Sequence, residues 1–135
     1  MSKPKGLKPA DFWITVSRRI EEKGRDPYHM TTIELRTGYL FETNGLVFGL
    51  TRLGPKLVEA TEILTGLRVL SGVTYAGTAE KLAEMPPDWF ASVYRVLSMY
   101  QDKEDWERLE PGMRTLGGDK VLEVLDYCQK RRPRV

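Results

Sequence analysis

The chain has 135 residues, enough for one small domain and too few for two ordinary ones. An apolar fraction of 41% argues against a disordered chain, and a net charge of +2 argues against the strongly basic face of a dedicated nucleic-acid binder. The single cysteine, Cys128, rules out an intramolecular disulfide, and no apolar run approaches the roughly 20 residues that a membrane-spanning helix needs.

Residues 1–9, rich in Lys, Pro and Gly, read as an extended or loose arm. Residues 10–23 read as a helix: Phe12, Val16 and Ile20 recur at i, i+4 and i+8, Trp13 lies beside them, and Gly24 supplies the stop. Lys3, Lys5, Lys8, Arg18 and Arg19 stand against one acid, Asp11. A basic amphipathic start of this kind suits organelle import as well as an ordinary surface helix. A loop holding His29 and Pro27 follows. Residues 31–50, "TTIELRTGYLFETNGLVFGL", are β-branched and aromatic, with Gly38, Gly45 and Gly49. Asn44-Gly45 between apolar runs signals a hairpin. The alternative is an extended arm lying on a partner, its glycines allowing close backbone approach. A lone two-stranded hairpin is marginally stable in water, so on either reading the stretch leans on something else.

Gly54-Pro55 is expected to open the next helix, since proline suits the first helical position. Leu57, Ala60, Leu64 and Leu67 form its stripe, widened by Val58, Ile63 and Leu70. Residues 71–77 break it, and a short helix over 78–85 follows with Thr78 as its cap. After Pro86-Pro87, Trp89, Phe90, Val93, Val96, Leu97 and Tyr100 make the clearest amphipathic stripe in the chain. That helix either runs on to Glu110, carrying Trp106 and Leu109, or is capped anew at Asp102. Pro111-Gly112 and Gly117-Gly118 bracket a loop. Asp119 then caps a last helix with Val121, Leu122, Leu125 and Cys128 on its buried face. Lys130, Arg131 and Arg132 complement the dipole at its C-terminal end. The expected fold is mainly α: a three-helix bundle with an N-terminal helix and an extended or hairpin segment.

Few residues suggest chemistry. One histidine and one cysteine cannot make a thiolate–imidazole zinc site. A nucleophile–base pair of Cys128 and His29 conflicts with the place of Cys128 on the expected core stripe. "GLVFGL" and "LGGDK" lack the spacing of phosphate-binding loops, and an anion at the start of the last helix would compete with Asp119 as cap. Glu104, Asp105 and Glu107 alternate with Lys103 and Arg108. This looks like a solvated helix face with a Glu104–Arg108 pair, and acid–base work needs carboxyls in unlike environments. Trp106 within it gives the patch a second reading as a docking surface.

"TNGLVFGL" (43–50), the helix expected from Pro55, "YRVLSMYQDKEDWERLE" (94–110) and "LGGDKVLEVLDYC" (116–128) together resemble a known family. It is the small helical accessory subunit of the matrix arm of mitochondrial respiratory complex I, called subunit 5 of the alpha subcomplex. Thr43, Gly45, Leu46, Val47, Gly49 and Leu50 match its extended start, with Asn44 and Phe48 as insertions. Glu104, Asp105, Trp106, Glu107 and Glu110 match its acidic stretch. Gly118, Val121, Glu123 and Leu125 resemble the opening of its third helix. The likeness is poor between Ser71 and Trp89 and has no counterpart for residues 1–42. It divides the chain into an N-terminal extension, 1–42, and a helical accessory-subunit domain, 43–135.

The resemblance implies a non-catalytic structural subunit, without cofactor or metal, that supports assembly and stability of NADH:ubiquinone oxidoreductase. Its partners would be the other complex I subunits of the hydrophilic arm, in the quinone-reducing module. As part of that hetero-oligomer it would sit peripherally on the matrix side of the mitochondrial inner membrane, with no membrane span and no nucleic acid. On this reading the contact surfaces are Gly45, Leu46, Val47, Gly49 and Leu50, with Glu104, Asp105, Trp106 and Glu107. The residues alone leave two other expectations. One is an unrelated helical adaptor or regulator that binds a large machine such as a polymerase. The other is a small enzyme using His29 with Cys128 or a carboxylate.

Overall fold

The structure, a computed structural model, describes residues 6–100 and 109–131. Five antiparallel strands lie in chain order, each paired with the next: β1 (Lys8–Ile20), β2 (Tyr28–Thr43), β3 (Leu46–Gly54), β4 (Leu57–Glu62) and β5 (Arg68–Gly72). Four α-helices follow among the described residues: α1 (Tyr75–Glu84), α2 (Ala91–Ser98), α3 (Glu110–Leu116) and α4 (Gly118–Lys130). A 3₁₀ turn, Pro87–Phe90, leads into α2. The chain is therefore a meander sheet covered by helices, and not the mainly α three-helix bundle that the sequence suggests.

Two expected helices are strands. Over residues 10–23 the i, i+4 spacing of Phe12, Val16 and Ile20 also fits a period of two. Phe12, Ile14 and Val16 share one face of β1, and the run Ile14-Thr15-Val16 is β-branched, which favours a strand. Over residues 55–70 the chain instead forms the β4–β5 hairpin. Pro55-Lys56 make the turn that enters β4. Val58, Ala60 and Glu62 alternate into the core. Gly66, at φ 74°, turns the chain toward β5.

The choice left open over residues 31–50 resolves to a hairpin. Asn44 and Gly45 have φ of 54° and 74°, and two positive values match the right-handed twist of the strands on either side. The boundary expected between residues 42 and 43 falls inside β2, and the sheet continues across it.

The helix ends also differ. Thr74 caps α1, its hydroxyl oxygen accepting from Gly77 N at 2.9 Å, while Thr78 is buried and donates to the Thr74 carbonyl at 2.7 Å. Gly117, at φ 83°, holds the N-cap position of α4, and Asp119 lies in its first turn. On α4 Val124 is buried and Leu122 is exposed, so the buried stripe is rotated from the expected one. The expected loop after Pro111 contains α3. Trp89, placed on the α2 stripe, is 70% exposed. The stretch 101–108, with its choice between one long helix and a new cap at Asp102, lies outside the described residues.

The two faces of the sheet have different coverings. On one, Phe48 packs against Phe90 with ring centroids 5.5 Å apart, and Tyr39 meets Tyr75 of α1 at 4.6 Å. On the other, the sheet coils back on itself. The Phe12 ring of β1 lies over Gly49 of β3, where a Cβ would come within 2.3 Å of it. Thr15 of β1 lies against Gly66 of the β4–β5 turn, whose Cβ would meet the Thr15 carbonyl oxygen at 2.7 Å. Helix α3 seals this seam. The Trp13 amide on the outer edge of β1 donates to Thr115 Oγ1 at 2.9 Å, and a Cβ on Gly112 would strike Leu64 at 2.0 Å. The result is a half-barrel whose first strand meets the β4–β5 turn beneath α3. Covering the edge of β1 also removes a template for aggregation.

Candidate docking surface

β1 pairs with β2 over its whole length, from Lys8 opposite Leu40 to Ile20 opposite Tyr28. β3 pairs with β2 only between Tyr39 and Thr43. Beyond that point β1 and β2 continue as a two-stranded ribbon, and every residue from Glu21 to Thr31 at its tip is exposed. Three large apolar side chains on the ribbon face solvent: Tyr28 at 37%, Met30 at 47% and Leu35 at 52% exposure. The pleat puts Tyr28 and Met30 on one face and Leu35 on the other.

Ion pairs hold the ribbon together. Arg18 of β1 pairs with Glu34 of β2, and Arg36 donates to the same carboxylate at 2.8 Å. The Arg18 guanidinium, with help from Arg36, holds the Glu34 carboxyl below its ordinary range. At the tip, Glu22 accepts from Arg25 at 3.1 Å and from the Tyr28 hydroxyl at 3.1 Å. Exposed pairs of this kind contribute little, typically about 0.2–1 kcal/mol each. They set register and shape but do not offset the exposure of apolar side chains on both faces.

Of the residues singled out from the sequence, the described ones sit elsewhere. Leu46, Val47 and Leu50 are buried in the chain's own core. Gly49 lies under Phe12, and Gly45 lies against the Tyr127 ring, where a Cβ would come within 2.1 Å. Their close contacts are with this chain. Glu104, Asp105, Trp106 and Glu107 lie outside the described residues. Sequence reading missed Tyr28, Met30 and Leu35. Their signal was the strict pairing of 28–36 with 12–20 at period two, visible only once 10–23 is read as a strand.

The structure keeps His29 and Cys128 apart: His29 is exposed on the ribbon, and Cys128 is fully buried on α4. Burial, with the Glu62 carboxyl as a lesser cause, pushes the Cys128 thiol up to about 12. Glu62 is itself fully buried, and its carboxyl is raised to about 7 by loss of solvation. Its two oxygens accept from the amides of Leu64 at 2.7 Å and Thr65 at 2.8 Å, so it staples the β4–β5 turn. Comparison with family models, with characterised proteins and with solved structures finds no match to this chain.

Proposed function

We propose that this chain is a non-catalytic adaptor that docks on a larger protein through the β1–β2 ribbon. One observation carries the reading: the ribbon leaves the sheet at Tyr39 and presents Tyr28, Met30 and Leu35 to solvent on both faces. A two-stranded ribbon alone is marginally stable in water, and exposed apolar residues rimmed by charge are what a protein groove covers. The partner's groove grips the ribbon from both sides, contacting its apolar residues at the centre and the charges of Arg18, Arg19 and Glu21 at the rim. A place in the matrix arm of respiratory complex I would need the helical fold that the resemblance implies. This chain has a sheet there, so the proposal names a mode of binding and not that complex.

Among the described residues, the buried groups that could carry chemistry support a non-catalytic reading. The Cys128 thiol is sealed in the core, and both oxygens of Glu62 hold backbone amides. The test is site-specific photo-crosslinking in the native host, with the crosslinker at Met30, at Leu35 and, as a control, at exposed Glu80 of α1. Both ribbon positions should give one common adduct that Glu80 does not. The variant Met30→Asp with Leu35→Asp should lose the partner at unchanged melting temperature. Retention of the partner by that variant, or turnover by the isolated chain, would refute the proposal.

A further inference from the structure

We infer that the mouth of the half-barrel binds a small oxyanion, a carboxylate or a phosphate, through Arg36. The coiling that lays β1 over β3 leaves a half-open cavity of about 290 Å³, lined by Ile14 and Val16 of β1, Arg36 of β2, Glu59 and Thr61 of β4, and Arg68 at the start of β5. Mouths of barrels are recurrent ligand sites because they join apolar walls to a few converging polar groups.

Arg36 is the odd member of this wall. It stands opposite Phe12 on the inward face of the ribbon, where an apolar residue would extend the core. Its outer end reaches Glu34, with Nη2 donating at 2.8 Å. Its Nε is sealed from solvent and has no acceptor among the described residues. A buried donor without an acceptor is costly, and a guanidinium keeps its charge at any relevant pH. The fold therefore holds a guanidinium with one unsatisfied donor, paired through Nη2 with Glu34 and partly exposed, at the edge of a cavity. The acid on the wall, Glu59, is occupied by Arg68 at 3.3 Å, which limits its repulsion of an entering anion. Thr61 stands on the same inward face. Guanidinium groups recognise carboxylate and phosphate oxygens through charge-assisted hydrogen bonds. The cavity admits a molecule of a few heavy atoms, and Ile14 and Val16 suit a short apolar body behind the anionic head.

The test is calorimetric titration of the full chain with butyrate and, separately, with inorganic phosphate, against chloride at matched ionic strength. Saturable binding of either probe, weakened roughly ten- to a hundredfold in Arg36→Met, is the expected result, since that range is the worth of one charge-assisted hydrogen bond. Arg95→Met, on an exposed position of α2, should leave binding unchanged. The stronger of the two probes identifies the source of the oxyanion. A second measurement covers the case in which Arg36→Met does not fold: the Arg36 Nε–H resonance of the wild-type chain should move with the same saturation curve. Absence of saturable binding by both probes, or binding that Arg36→Met leaves intact in a folded variant, overturns the inference.

Discussion

Gly49→Ala separates two explanations of the glycines in "TNGLVFGL". If Gly49 serves close approach within this chain, the isolated protein suffers from the substitution. A Cβ built on Gly49 stands 2.3 Å from Phe12 Cε2 and 2.7 Å from both Cδ2 and Cζ. Carbon atoms in contact rest at about 3.5–4.0 Å, so the ring must retreat by more than about 1 Å. It has little room to retreat, because Phe12 is fully buried where the sheet coils back over β3. Overpacking of this kind costs about 1–3 kcal/mol, and the rigid ring in a closed space puts the expectation near the upper end. Urea unfolding of the isolated chain measures it directly. The same measurement in a Phe12→Leu background supplies the decisive comparison, because leucine lacks the ring atoms that the methyl would meet. There Gly49→Ala should cost less than half as much, giving a coupling of at least about 1 kcal/mol. Additive costs, or a neutral Gly49→Ala in the isolated chain, would refute the closure of β1 over β3.

The buried Glu62 predicts a pH dependence. Its carboxyl is raised from 4.5 to about 7, so the folded state holds the proton more tightly than the unfolded state. The stability it contributes is full below 4.5 and is lost as pH rises through 7, a difference on the order of 3 kcal/mol at the outside. Glu62→Gln, which cannot ionise, should flatten that part of the curve of urea midpoint against pH; an unchanged slope would contradict the assignment. Cys128 should resist a thiol-labelling reagent in the native state and react at once in denaturant, since its thiol is buried and raised to about 12. Rapid native labelling would place it at the surface. Thr115→Val should destabilise the chain by about 1–2 kcal/mol, because it removes the acceptor of the Trp13 amide. Faster hydrogen exchange at Trp13 is the local readout, and unchanged exchange would mean that α3 does not cover the edge of β1.

Some of this architecture is legible in the sequence. The stripes of Phe90, Val93 and Leu97, and of Val121, Leu125 and Cys128, identify α2 and α4 because each spans two or more turns of one apolar face. Asn44-Gly45 marks its turn because few other pairs tolerate two positive φ values. Residues 10–23 and 55–70 are both misread as helices. Phe12, Val16 and Ile20 are four apart, and a spacing of four fits both a helix of period 3.6 and a strand of period 2. The β-branched run Ile14-Thr15-Val16 was the better evidence there, and Gly66 was the better evidence against a helix through residues 55–70.

That one ambiguity propagates into the functional reading. Glycines at 45 and 49 require something to approach closely, and the sequence states this requirement without naming what approaches. With residues 10–23 taken as a helix, Phe12 belongs to a separate surface, and the approach is left to a partner. With β1 in the sheet, Phe12 comes to lie over Gly49, and the Tyr127 ring of α4 does the same for Gly45. The need for an outside partner then moves from the buried turn to the ribbon, where β2 runs on past the last residue of β3 that pairs with it. A docking surface can be read from a sequence only after the internal contacts have been assigned, because glycine and apolar residues serve both. Here the assignment turns on whether one stretch of thirteen residues is a strand.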